Sequence, residues 1–229
     1  MSLDFSRYKN DFPILKRKVR GGNTLIYLDS GATSQKPETV IEAEANFYRT
    51  KNAAVHRGAH LVAEEASEVY EGARENVARF IGAKSDEVIF TKSATESLNL
   101  IAYSLGNPES KFHLKSGDEI VVSEMEHHAN LIPWQQLAKR VGAKLTWFKI
   151  TDEGRLDLSD IDKLINKKTK IVAITHQSNV LGTIVPLAQI TKAAHAVGAV
   201  VVLDACQSAP HFAVDVKKLE VDFLAFSGH

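Results

Sequence analysis

The chain has 229 residues, with 28 Lys and Arg balanced by 28 Asp and Glu, 44% hydrophobic side chains and a single cysteine. That length suits one large domain or a domain and a half, able to bury about 70% of the surface its unfolded chain exposes. Zero net charge gives no field for general binding to nucleic acid or an anionic membrane, and a lone cysteine can neither close an internal disulfide nor join a paired-cysteine metal motif.

The first twenty residues, MSLDFSRYKNDFPILKRKVR, scatter charges among apolar residues, unlike a signal or transit peptide. No uncharged run approaches the roughly 20 residues of a membrane span. A soluble, cytoplasmic protein of a reducing compartment is expected. Residues 1–20 read as an arm ahead of a large domain over 21–229, and no linker or repeat marks another boundary.

KPETVIEAEANFYRTK and residues 61–81 carry helical spacing and flank the polar segment NAAVHRGAH, which reads as a loop. Beyond them, short β-branched runs at 87–91, 119–123, 144–150, 170–175, 199–204 and 222–227 predict strands. Most are separated by the helical stretches ESLNLIAYSL, HANLIPWQQLAKRVGA, LSDIDKLINKK and PLAQITKAAHAVGA. Strands apolar on both faces, alternating with amphipathic helices, predict an α/β fold with a mostly parallel sheet covered on both sides.

Ligands of open α/β sheets bind at the carboxyl ends of the strands. Here those ends break into KSATES, EMEHHAN, HQSNVLG, ACQS and SGH. The turn Lys92-Ser93-Ala94-Thr95-Glu96 opens a helix, where free N–H groups suit a phosphate; an ordinary N-cap is the alternative. Neither a G-x-G-x-x-G nor a P-loop is present. Asp204 ends the apolar run VVVLD, where a carboxylate needs a cation or several donors. The protonated nitrogen of a pyridine cofactor would serve, with Gln207 three residues on able to reach an oxygen on the same ring; helix capping is the other reading of Asp204. His127 and His128 lack a third ligand at metal spacing, so an imidazole stacked on a planar cofactor or acting in acid–base chemistry competes with a capping role.

Together LDSGATSQKP, NAAVHRGAH, SATES, MEHHANLIPWQ, THQSNVLGT, VLDACQSAPH and FSGH resemble the SUF-type (group II) cysteine desulfurases of the class V aminotransferase family, which use pyridoxal 5'-phosphate (PLP). The likeness runs over essentially the whole chain. It implies the type I PLP fold: a seven-stranded mixed sheet in a large domain, a small domain built from the C-terminal part plus the arm, and a homodimer. It implies that Ala94 and Thr95, Ser227 and His229 hold the phosphate, and that His127 stacks on the ring as the catalytic imidazole. Asp204 would pair with the ring nitrogen and Gln207 contact its phenolic oxygen, with Asn179, His56 and Arg57 near the substrate and no metal. The implied reaction removes sulfur from L-cysteine, leaving L-alanine and an enzyme persulfide passed to a SUF acceptor protein for iron–sulfur cluster assembly. Selenocysteine lyases share nearly the same site, and a non-catalytic PLP-fold scaffold is the other alternative. The family motif continues Ser-Gly-His-Lys, whereas this sequence stops at His229. The Schiff-base lysine, the persulfide cysteine and the carboxylate-binding arginines of the family are therefore expected beyond it, in a longer protein. Cys206, between Asp204 and Gln207, reads as a small packing residue and not as the sulfur carrier.

Overall fold

A computed structural model describes residues 5–229; residues 1–4 of the expected arm lie outside the described residues. The chain forms two compact units, one of the residues up to Asn76 together with His229, the other of Val77–Gly228.

In the first unit lie α1 (Ser6–Lys9), α2 (Glu38–Thr50) and most of α3 (Leu61–Ile81), which match the two helices expected around NAAVHRGAH. Pro37 precedes α2, where a missing N–H costs nothing, and Glu38 in its first turn and Arg49 in its last complement the helix dipole.

The second unit follows the expected alternation: α4 (Ala94–Leu105), β1 (Glu119–Ser123), α5 (Ile132–Val141), β2 (Lys144–Phe148), α6 (Ile161–Leu164), β3 (Thr169–Thr175), α7 (Leu187–Ala196), β4 (Val200–Asp204), α8 (Val216–Leu219) and β5 (Phe223–Ala225). The strands form one sheet in the order β2-β1-β3-β4-β5, and every pairing is parallel. Side chains alternate between two cores. Ile120, Val122, Ile171, Ala173 and Val202 pack with Leu98 of α4 and Trp134 and Leu137 of α5. Val121, Val172, Ile174, Val201 and Leu203 pack with Ile190 and Ala194 of α7. A period of two with both faces buried is the reason these strands read as unbroken apolar runs.

Two expectations need correction. The run at 87–91 does not form a strand: Ser85–Glu87 is a 3-10 turn, and residues 88–91 run without a ladder partner, leaving Ile89 71% exposed. A strand exists only through pairing, so β propensity alone did not suffice, and the described residues carry five parallel strands where seven in a mixed sheet were expected. The helix expected over LSDIDKLINKK shrinks to α6. Asn166 explains the stop, because its side-chain amide donates to the carbonyls of Lys163 and Leu164 that a longer helix would use.

The strand order places the site. From β1 the chain moves outward to β2, then crosses back to lay β3 on the other side of β1. The carboxyl ends of β1 and β3 thus diverge at a topological switch point, where the loops part and leave a crevice.

Candidate active site at the strand ends

A cavity of about 470 Å³ opens at this switch point, lined by Glu124–His128 after β1, Ile150 after β2 and Ser178–Leu181 after β3. It brings together three of the residues singled out in the sequence, His127, His128 and Asn179. His127 accepts the Ala129 N–H on Nδ1 at 3.1 Å, which leaves Nε2 to carry the proton of the neutral ring. Its ring centroid is 6.2 Å from that of His128. No group of three or more His, Cys, Asp or Glu among the described residues is arranged to hold a metal. Asn179 sits in a loop closed by Ser178 N–H to the Thr183 carbonyl and Gly182 N–H to the Ser178 carbonyl, with Gly182 in the left-handed region at φ +70°.

Asp204 ends β4 and is only 4% exposed. Its Oδ1 accepts the N–H of Cys206 at 3.0 Å, an Asx-type turn that starts the ACQS segment carrying the half-buried Gln207. Burial first, and Asp204 second, push the Cys206 thiol well above its usual range. It stays protonated and is a poor nucleophile, as the sequence reading anticipated.

At the start of α4, the capping reading of the SATES turn is realised: Ser93 Oγ accepts the Glu96 N–H at 3.3 Å, and Glu96 reaches back to the Lys92 N–H. Capping does not exhaust the turn, since the N–H groups of Ala94 and Thr95 precede the first intrahelical bond. A second cavity, of about 340 Å³, is lined by Lys92 and Ser93 on one side and by Phe226, Ser227 and Gly228 on the other. Ser227 is thereby brought to the same helix end, whereas Thr95 is exposed beside it and does not line the cavity.

In the first unit, His56 adopts φ +58°, unusual for a residue with a Cβ. Its N–H donates to Ser67 Oγ at 3.0 Å and its Nε2 meets Glu71 Oε1 at 2.9 Å, while Arg74 holds the other Glu71 oxygen. Those partners hold Glu71 below the usual carboxylate range. Arg57 is exposed in the same loop. The carbonyl of His229 accepts from the side chains of Thr33 and Lys36.

Sequence reasoning passed over Glu126. One of its carboxyl oxygens faces Ser123 Oγ and accepts the Thr175 N–H at 2.9 Å; the other accepts Asn130 Nδ2 at 2.6 Å. Asn130 Oδ1 in turn accepts the Trp134 indole N–H at 2.9 Å, and both Asn130 and Trp134 are fully buried. Burial, with the field of Asp204 adding to it, pushes the Glu126 carboxyl up to about 8. His176 was also missed. It is 5% exposed, with Nδ1 3.0 Å from Ser208 Oγ and Phe212 edge-on at 5.2 Å, and burial lowers its pKa. Next to it, Gln177 Oε1 is enclosed with no hydrogen-bond donor.

The family model for class-V aminotransferases matches residues 26–229, nine-tenths of the chain. The chain belongs to that family. Among its curated relatives, a probable cysteine desulfurase of Streptomyces coelicolor is 54% identical over 99% of this chain and 54% of its own length. The solved apo structure of a cysteine desulfurase from Thermococcus onnurineus NA1 superposes with a TM-score of 0.89 at 46% identity, covering all of this chain and 54% of that one. An S-sulfonic acid form of an Escherichia coli cysteine desulfurase gives a TM-score of 0.85 at 37% identity, covering 100% of this chain and 55% of the other. This class-V aminotransferase chain spans about half the length of the relatives it matches. Its α/β architecture is the one those structures share.

Proposed function

We propose that the chain forms the cofactor-binding part of a SUF-type cysteine desulfurase. PLP would serve it in taking sulfur from L-cysteine, leaving L-alanine and an enzyme persulfide destined for iron–sulfur cluster assembly. Asp204 is the observation that carries the reading: a carboxyl 4% exposed at the end of a fully buried strand, beside a switch-point crevice. A carboxylate there requires a cation or several donors, and a protonated pyridine nitrogen would supply the cation. When bound, the cofactor supplies an electron sink for the electrons of the substrate Cα–H bond.

The chain's own residues have distinct tasks. Asp204 would keep the ring nitrogen protonated, and Gln207 would donate its amide to the phenolic oxygen. His127, at the β1 end, would place its imidazole against the ring, with Nε2 left free by the Ala129 N–H on Nδ1. The free N–H groups of Ala94 and Thr95, with the Thr95 and Ser227 hydroxyls, offer neutral donors to the phosphate at the positive end of α4. Asn179 lines the crevice on the side open to substrate. His229, His56 and Arg57 belong to the first unit, and their assignment to the phosphate and to the substrate rests on the motif resemblance.

The overall exchange balances: one cysteine and one protein thiol give one alanine and one persulfide, the sulfur passing to the thiol as the Cβ–S bond breaks. Cys206, half-buried and with its thiol held protonated, is not that thiol. Homodimerisation, a sulfur-acceptor protein and a cytoplasmic location complete the proposal; no described helix is long and apolar enough to cross a membrane. The test is PLP uptake by the full-length protein, read from visible absorbance. Uptake should be strong in the unaltered protein and at least tenfold weaker in Asp204→Ala. Equal uptake by the two would contradict the role of Asp204.

A further inference from the structure

We infer that Glu126 is a positioning residue of the cofactor floor: it ties the end of β1 to the end of β3 and so fixes the turn that presents His127. The inference rests on the PLP reading above for what the floor holds, but not for the lock itself.

The geometry spans β1, β3, α5 and the 3-10 turn His128–Asn130. Ser123 is the last residue of β1 and Thr175 the last of β3, and both meet the same Glu126 oxygen. The other oxygen takes Asn130, whose far side is pinned by Trp134 at the start of α5. The lock thus bridges the two strands that diverge at the switch point, where no ladder bond can hold their ends, and His127 is the next residue along. A carboxyl suits this position better than an amide. Thr175 N–H and the Ser123 hydroxyl both donate to one oxygen and Asn130 Nδ2 donates to the other, so both oxygens serve as acceptors. Glutamine would set an NH2 against one of those donors.

Protonation matters because of what surrounds the group. With a pKa raised to about 8, Glu126 is mostly neutral at pH 7, which leaves Asp204 without a second anion beside it. The other titratable groups near it are His127 and His128, which share its cavity, His176, which burial holds neutral, and Glu124, which lines the cavity but pairs with Lys149. Above the raised pKa, ionised Glu126 would repel Asp204 and loosen the lock. A pKa raised from 4.5 to about 8 gives stability that is complete below 4.5 and is lost as pH rises through 8.

The experiment uses the full-length protein in cofactor-free and PLP-loaded forms. For the cofactor-free form, the unfolding constant should rise by up to about tenfold per pH unit across that window, and Glu126→Gln, which cannot ionise, should lack this part of the slope. In the loaded form, the visible band should shift with a midpoint near pH 8 and lose that midpoint in Glu126→Gln. If Glu126→Gln does not fold, Ser123→Ala serves instead: removing a partner that lowers the Glu126 pKa should move both midpoints upward. A flat wild-type slope, or midpoints indifferent to both substitutions, would overturn the inference. A protein that shows the stability slope but takes up no PLP would overturn the cofactor reading and leave the lock standing.

Discussion

Replacing Asn130 by alanine isolates the buried part of this network. Asn130 is fully buried and spends both halves of its amide, Nδ2 on Glu126 at 2.6 Å and Oδ1 on the Trp134 indole at 2.9 Å. Alanine leaves an indole N–H unpaired in a side chain with no exposure, at a cost of roughly 1–3 kcal/mol, and takes one donor from a buried carboxyl for about 1 kcal/mol more. The expected total is about 2–4 kcal/mol. With a slope of roughly 2 kcal/mol per molar urea, the unfolding midpoint should fall by about 1–2 M. A double-mutant cycle with Trp134→Phe provides the discriminating assay. Phenylalanine removes the N–H that Asn130 satisfies, so Asn130→Ala should cost about 1–2 kcal/mol less in that background. Additivity of the two substitutions within about 0.5 kcal/mol would refute the hydrogen-bond reasoning and reduce both effects to lost packing.

His176 titrates below its ordinary 6.5 because burial disfavours the charged ring. The stability it contributes is complete above 6.5 and is lost as pH falls below that value, so the urea midpoint should drop as pH falls below 6.5, and less so in His176→Gln. A slope unchanged by the substitution would contradict the assignment. Cys206→Ala should leave sulfur transfer by the full-length protein within about twofold of wild type, because a half-buried thiol held protonated is a poor nucleophile. Loss of protein-bound persulfide in that variant would show that Cys206 carries sulfur after all.

The second unit's fold was legible wherever hydrophobic period and pairing agreed. EIVVS was expected at 119–123 and β1 occupies those positions, because alternate residues feed two separate cores and no other backbone buries both sets. The expectation failed at 87–91, where β-branched residues invite a strand and pairing is needed to make one. The SATES turn was read two ways, and Ser93 shows why they are compatible: it caps the Glu96 N–H and leaves those of Ala94 and Thr95 outside the helical ladder. Asp204 was visible as a charge ending an apolar run. Glu126 was not, because its meaning depends on Thr175, far along the chain and adjacent only after β3 has crossed back beside β1.

The central claim concerns sulfur removal from cysteine. Its most direct measurement is product analysis of the full-length, PLP-loaded protein with L-cysteine. A desulfurase should release one alanine for each sulfur atom trapped as persulfide on the protein or passed to a reductant, with no pyruvate or ammonia. Pyruvate and ammonia in place of alanine, or no turnover of cysteine by protein carrying its cofactor, would contradict it.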